Sequence, residues 1–295
     1  MKPRGIPPRI IAEKCIQCGQ CVAVCPSFVI HWVDEKAKVA RGEWCLGCGH
    51  CGAVCPTEAI LQEATSYEGY PSGGASPATS PESLGTLLRE RRSVRKYKED
   101  AVPREVIEKI LEAGRYAPTG SNSQNVHYLV LTSQERISEL RRMTLGFYEK
   151  IFTRARGKLG GFLLGLISGR RTIEYLRESL PKVEHAYEEM KKGKDILFYH
   201  APALILAHAE SWDSNSPFNC SAALYNCSLM AHTLGLGCCF NGFLVNAANR
   251  DRKIKKWLAI PPDHKCYAAM TVGYPGVKYR RLVRRDPPKV RGIRP

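Results

Sequence analysis

The sequence predicts an α+β protein in two unequal parts, a short module held by metal and a larger domain of mixed helices and strands. Three observations carry this. Eight of the 13 cysteines fall in two short runs that end at Cys55. Residues 63–80, EATSYEGYPSGGASPATS, are rich in Gly, Ser, Pro and Thr and nearly free of aliphatic side chains, the composition of a linker. From Pro81 onward, helical and strand periodicities alternate. The predicted parts are therefore 1–62, a linker at 63–80, and 81–295.

Within the larger part, Pro81–Arg92 reads as a helix. Pro103–Ala113 reads as a second one, with Val106, Ile107, Ile110 and Leu111 on one stripe, Pro103 in the first turn and Gly114 at the end. Val126–Thr132, Ala203–Ala209 and Cys266–Val272 read as strands. Phe218–Leu236 is apolar nearly all round, which predicts a buried helix. Gln134–His200 reads as mostly helical with mixed charge and contains the run LGGFLLGLISG, Leu159–Gly169. That run is read as a helical pocket cover in preference to a membrane-touching surface.

The formal net charge is +16, which leaves nucleic acid, a membrane surface or an acidic protein as partner classes. The charge is uneven. Residues 1–62 hold seven Lys/Arg against five Asp/Glu, whereas Gly276–Pro295 holds eight against one. No aromatic interleaving or groove-reading motif accompanies the basic residues, so nucleic acid is not expected. A solvated basic tail stands as the plain alternative to an acidic partner. Leu159–Gly169 is far below the roughly 20 residues of a membrane span. The opening residues, MKPRGIPPRIIAEK, lack the apolar stretch of an export signal. The expectation is a cytoplasmic protein with no membrane span.

Without an export signal, clustered cysteines point to metal in preference to disulfides. The spacing is Cys15-x2-Cys18-x2-Cys21-x3-Cys25-Pro26, repeated as Cys45-x2-Cys48-x2-Cys51-x3-Cys55-Pro56. A cubane cluster needs one thiolate per iron; a tight C-x2-C-x2-C loop can wrap three corners and the fourth must come from elsewhere. Zinc sites usually pair two C-x2-C units, so two complete four-cysteine runs fit zinc poorly. His50 lies inside the second run and is read as solvent-facing or tuning, since four cysteines are already present. The duplicated run resembles two-cluster bacterial ferredoxins. That resemblance implies two [4Fe–4S] clusters with crossed ligation, one held by Cys15, Cys18, Cys21 and Cys55, the other by Cys45, Cys48, Cys51 and Cys25. The remaining five, Cys220, Cys227, Cys238, Cys239 and Cys266, lie in apolar segments and are read as buried small hydrophobes.

Three weaker signals follow. Arg91-Arg92-Ser93-Val94-Arg95 clusters guanidinium groups with a hydroxyl, as an anion site does. Ala117-Pro118-Thr119-Gly120-Ser121-Asn122-Ser123-Gln124 is a polar loop before a strand. Gly235-Leu236-Gly237-Cys238-Cys239-Phe240-Asn241-Gly242 follows the apolar helix and lacks the dinucleotide spacing G-x-G-x-x-G. Each alone reads as an ordinary turn. In this order, with Gly273-Tyr274-Pro275 after them, they resemble the nitroreductase family over roughly residues 82–287. The resemblance implies a central sheet flanked by helices, a homodimer, and FMN. It places Arg91, Ser93 and Arg95 at the FMN phosphate and ribityl chain, Asn122 at the ring with Pro118 and Thr119 beside it, and Asn241 and Gly242 near N5. Arg285 matches a phosphate-binding arginine, with Arg281 and Arg284 as alternatives. Asn125 departs from the pattern, standing where the family commonly has Pro.

These resemblances together imply an iron–sulfur flavoprotein oxidoreductase. Electrons would come from an external ferredoxin or other low-potential donor and leave to a small electron-poor acceptor of nitro, quinone or enone type. Direct reduction by NAD(P)H stays open. No side chain is assigned as catalytic; Tyr97 and His127 are weighed as proton carriers and read as packing residues. An electron-transfer adaptor or redox sensor serving a protein partner is the competing reading, and a specialised dehalogenating or flavin-fragmenting chemistry a third.

Overall fold

The computed structural model describes residues 5–63, 65, 67, 79–156, 185, 188–190 and 192–292. Leu159–Gly169, which the sequence marks as a pocket cover, lies outside them. The chain divides into two compact units, 1–80 with 119–124, and 81–118 with 125–295.

The first unit is built twice from one pattern. Gly19 and Gly49 both adopt φ 74°, ψ −4°, a left-handed conformation that suits glycine, and each opens a four-residue helix: α1, Gln20–Ala23, and α2, His50–Ala53. Past each fourth cysteine the chain turns through a second positive-φ residue, Phe28 (54°) or Glu58 (51°). Two antiparallel pairs complete the unit: β1 (Arg9–Ile10) with β4 (Ile60–Leu61), and β2 (Ile30–Val33) with β3 (Lys36–Val39). Asp34 and Glu35 join the latter pair with φ 49° and 58°, the positive values a two-residue I′ hairpin turn needs. Three of the seven buried members of this small core are cysteines, Cys21, Cys45 and Cys51. So little apolar material stabilises weakly without a metal to draw the thiolates together.

The second unit is a four-stranded antiparallel sheet in the order β5 (His127–Leu131), β6 (Ala203–Glu210), β8 (His264–Gly273), β7 (Gly237–Phe240). Helices cover both faces. On one face, Ile205 and Ala207 of β6 pack with Ile107 and Ile110 of α4 (Arg104–Arg115) and Leu224 and Cys227 of α6 (Ser216–Thr233). On the other, Leu204 and Leu206 meet Ile137 and Leu140 of α5 (Gln134–Arg156), Leu244 and Ala247 of α7 (Gly242–Arg250), and Ile254 of α8 (Arg252–Trp257). Two-sided burial explains why β6 reads as an apolar run from Ala203 to Ala207, whereas strands with one wet face alternate. The predicted helix at 81–92 is α3, Pro81–Glu90. The predicted buried helix is buried on one side only: α6 leaves Phe218 60% and Tyr225 39% exposed.

After α3 the chain runs along β7. Val94 N–H donates to Cys238 O (3.0 Å), and a Cβ on Gly237 would collide with the Val94 side chain, so glycine is required for this approach. Tyr97 is buried, its hydroxyl donating to Val94 O (2.8 Å) and lying 2.7 Å from Thr271 Oγ1, a packing and hydrogen-bonding role.

Ahead of β6, Asp195 organises a tight turn in which Tyr199 and His200 take φ 58° and 52°. Asp195 Oδ1 accepts from Leu197 N (3.0 Å) and Phe198 N (2.9 Å), and Oδ2 from His200 N (3.0 Å). Its side chain is 3% exposed, with Arg141 Nη1 3.8 Å away. Replacing it strands three donors and an arginine. Asp195→Ala is expected to destabilise the protein by about 2–4 kcal/mol in denaturant melts of the anaerobic protein, with Asp195→Asn between it and the native chain.

Candidate functional site

The eight run cysteines sort into two groups of four, and the groups are crossed. One cavity of about 340 Å³ is lined by Cys45, Cys48 and Cys51 together with Cys25 from the first run. Another of about 330 Å³ is lined by Cys15, Cys18 and Cys21 together with Cys55 from the second. Matched volumes and matched donor sets follow from the duplicated backbone. Backbone donors reach the sulfurs in the same way in both repeats: Val29 N–H to Cys25 Sγ and Ala59 N–H to Cys55 Sγ, each at 3.2 Å. Gly47 N–H (3.4 Å) and the Gln62 amide (3.3 Å) donate to Cys45 Sγ. Such donors stabilise thiolate, the form that binds iron, and set cluster potential.

The electrostatics point the same way. Burial pushes the Cys51 thiol up to about 11, partly offset by the Gly52 N–H, and Cys48, Cys45 and Cys25 push it further. A buried thiol crowded by three further sulfurs is part of a donor set that a cationic metal core would relieve. The residues therefore fit two four-thiolate clusters. Two aromatic residues that the sequence does not single out close over the runs. Trp32 packs where a Cβ on Gly19 would sit, Thr65 takes the equivalent space at Gly49, and Tyr67 lies beside it and fills the space at Gly52. Gln62, another residue without a sequence signal, joins the second set only because β4 carries it there.

The loop Thr119–Gln124 belongs to the first unit. Within it Ser121, Asn122 and Gln124 have positive φ (52°, 53° and 46°). The Asn122 amide donates to Leu46 O (3.2 Å) and Gly47 O (3.1 Å), the backbone between Cys45 and Cys48, and Gln124 Nε2 donates to Asn122 Oδ1 (3.2 Å). Asn122 is thus fixed against the loop that wraps the second thiolate set, and Thr119 sits in the same segment, while Pro118 groups with the second unit.

The remaining predicted site residues lie in the second unit. Ser93 forms an isolated parallel bridge with Cys238, and Ser93 and Arg95 lie beside the Cys239 side chain, with Tyr199 next to Arg95. Arg91 Nε is buried with no hydrogen-bond partner among the described residues, and its guanidinium lies 5.7 Å from the Tyr225 ring centroid. A buried guanidinium N–H without a partner fits a phosphate. Tyr225 lines an open cavity of about 970 Å³ with Phe218, Phe240, Asn241, Gly242 and Val245, apolar over most of its wall as a planar ring requires. Asn241 itself is fully committed. Its N–H donates to Ala269 O (2.8 Å), its Oδ1 accepts from Leu244 N (2.9 Å) as the cap of α7, and its Nδ2 donates to Leu197 O. At the start of α7, nothing lies within 4 Å of a Cβ added to Gly242, so the backbone there is open on the cavity side. Arg285 is exposed in the chain that follows β8 and belongs to no helix or strand, as are Arg281 and Arg284.

Crossed ligation has a direct test. Cys25→Ser and Cys51→Ser are expected to damage the same cluster, so the double variant loses no more iron than the worse single one. Cys25→Ser combined with Cys21→Ser is expected to damage both, with additive iron loss by metal analysis. The reverse pattern would restore uncrossed runs.

Comparison with known proteins agrees with this architecture. Residues 88–274 match the family model described as Nitroreductase family, and residues 14–59 match that of the 4Fe-4S dicluster domain. A Methanothermobacter thermautotrophicus protein named NADH dehydrogenase/NAD(P)H nitroreductase is 26% identical over 192 residues, 64% of this chain and 75% of its own length. The 4-nitrobenzoate reductase of Nocardioides sp. (strain LMS-CY) is 25% identical over 213 residues, 65% and 81% of the two chains. Among solved structures, a nitroreductase with bound FMN from Bacteroides fragilis superposes with a TM-score of 0.52 at 23% identity, covering 73% of this chain and all of that one. A second, from Desulfitobacterium hafniense, gives 0.53 at 19% identity with the same coverage. No helix among the described residues is long and apolar enough to cross a membrane. With the family model spanning more than half of its residues, the chain belongs to the nitroreductase family and carries a 4Fe-4S dicluster domain before the family domain.

Proposed function

We propose that this chain is an iron–sulfur flavoprotein oxidoreductase that takes electrons from an external ferredoxin or similar low-potential donor and delivers them to a small electron-poor acceptor of nitro, quinone or enone type. When bound, the [4Fe–4S] clusters supply single-electron exchange at low potential, and FMN supplies conversion between one- and two-electron chemistry. The chain's own residues bind, orient and tune. Cys15, Cys18, Cys21 and Cys55 hold one cluster and Cys45, Cys48, Cys51 and Cys25 the other, with Gln62 and the Gly47, Val29 and Ala59 N–H groups adjusting thiolate basicity. Arg91, Ser93 and Arg95 hold the FMN phosphate and ribityl chain, and the first turn of α7 donates toward the ring.

The observation that carries this reading is Asn122. The resemblance sets this residue, with Pro118 and Thr119, at the flavin ring, and its amide is bonded to the carbonyls between Cys45 and Cys48. The pairing of that position in the family pattern with a thiolate loop supports a chain that uses both kinds of cofactor in one reaction.

The chain works as a homodimer in this reading. Its support is the face of α6 that carries Phe218 and Tyr225 beside the apolar cavity, together with the family's dimeric habit.

Anaerobic purification is expected to yield about eight irons, about eight sulfides and about one FMN per chain, and reduced ferredoxin is expected to support reduction of a nitro or quinone acceptor. Iron without flavin, or turnover with NAD(P)H alone at the full rate, would overturn the proposed route. Arg91→Ala removes a charge-assisted donor worth about 1.5–3 kcal/mol. It is expected to weaken FMN retention by roughly tenfold or more in released-flavin assays, with iron content unchanged.

A further inference from the structure

At the end of the sheet where β5 begins, four chemistry-bearing residues fall on one face. The pairing shows why. His127 of β5 lies opposite His208 of β6, Glu210 follows His208 by two residues on the same side of the strand, and Glu210 lies opposite His264 of β8. The β6–β8 register shifts between Ala207 and His208, so this end of β8 is re-aimed relative to the rest of the strand.

The side chains converge accordingly. One ligand atom each from His127, Glu210 and His264 lie within 4.8 Å of one another. Behind them His208 places its Nδ1 3.0 Å from His264 Nδ1, and its ring stacks on that of His127 with centroids 5.3 Å apart. His127 is exposed, Glu210 half-buried and His264 buried, which gives an interior anchor and an entry path. The carboxylate is oriented by a side-chain network. Asn125 Nδ2 donates to Glu210 Oε2 (3.0 Å) and lies equally close to Asp213 Oδ2, while Asn125 Oδ1 accepts from the buried Asn219 amide (2.9 Å). Asn125 is the position where this chain departs from the family's usual Pro, which has no amide to donate.

We infer that His127, Glu210 and His264 form a binding site for a borderline divalent cation of the zinc class, separate from the cluster cysteines. Two imidazoles and one carboxylate are a donor set such cations take, with a fourth position left to water or a small ligand. Ligands about 2.0–2.1 Å from a tetrahedral ion stand about 3.3 Å apart, so side-chain shifts of about 1 Å close the observed geometry. The ligands come from three neighbouring strands, two of them buried in the sheet, so the scaffold is rigid. His208 and Asn125 act as positioning residues, one against an imidazole and one against the carboxylate.

The experiment uses anaerobically purified, cluster-loaded protein given one equivalent of Zn²⁺. Zinc K-edge EXAFS is expected to show only nitrogen and oxygen at about 2.0–2.1 Å, with iron and sulfide contents unchanged. In calorimetric titrations His127→Ala and Glu210→Gln are each expected to weaken binding by at least tenfold, and Asn125→Ala by about tenfold. His127 is exposed, so His127→Ala should melt like the parent without zinc and keeps the test valid if other variants misfold. Sulfur scattering near 2.3 Å, native affinity in His127→Ala, or absence of binding would overturn the site.

Discussion

Strand β6 has no dry neighbour to spare: from Ala203 to Ala209 every residue is buried, and both helical layers pack against it. A strand in that position must be apolar or paired along its whole length. Alternate residues commit to opposite layers, Leu204 and Leu206 to one and Ile205 and Ala207 to the other, so a one-residue slip would exchange the two cores. The rest of the unit takes its place from this strand. β8 pairs with it and carries Ala268 and Ala269 to the wall of the large cavity. β7 pairs with β8, and the arginine segment aligns on β7 through Val94 and Gly237. The polar residues of β6, His208 and Glu210, occur only among its last three residues, His208 still buried and Glu210 half-buried.

The first unit is organised by a different constraint. Its apolar core is small and partly sulfur, so its order depends on neutralising thiolates. Duplication answers this by using each helix-opening glycine, each fourth cysteine and each positive-φ turn twice. Crossing the fourth ligands then ties the halves together, because neither set of four can be completed by one run alone.

Legibility in the sequence followed the range of the interactions. The cysteine runs were readable because their ligands repeat at fixed local spacing. The helix at Arg104–Arg115 and the three long strands were readable from periodicity within about two residues at each end. The one-sided burial of α6 was not, because an apolar surface that meets another surface looks the same in sequence as one that meets a core. Gln62, Tyr67 and Trp32 gave no signal, since their proximity to the runs is tertiary. The commitment of Asn241 to capping and to Leu197 O depends on a partner 44 residues away. The histidine cluster was hidden because His127 alone reads as a packing residue, whereas it is exposed, and only strand order brings it to Glu210 and His264.

Thirteen cysteines in one chain pose a sorting problem, since any thiolate can compete for iron. The five outside the runs are all buried, and burial foremost pushes Cys220, Cys227, Cys238 and Cys266 up to about 12. A thiol held that far above neutral pH is a poor ligand and a poor nucleophile. The run cysteines differ in kind as well as degree. Burial also raises Cys51, but three further sulfurs and a cavity face it, so a metal core can recover the cost in one step. At Cys55 the sign reverses: burial works to raise it, yet the N–H groups of Thr57, Ala59 and Ile60 together hold it below the ordinary thiol range. Selection for iron is thus written in where donors and cavities lie. The same logic separates the imidazole–carboxylate cluster from the sulfur sites, because a cation suited to nitrogen and oxygen finds there ligands that need no thiolate.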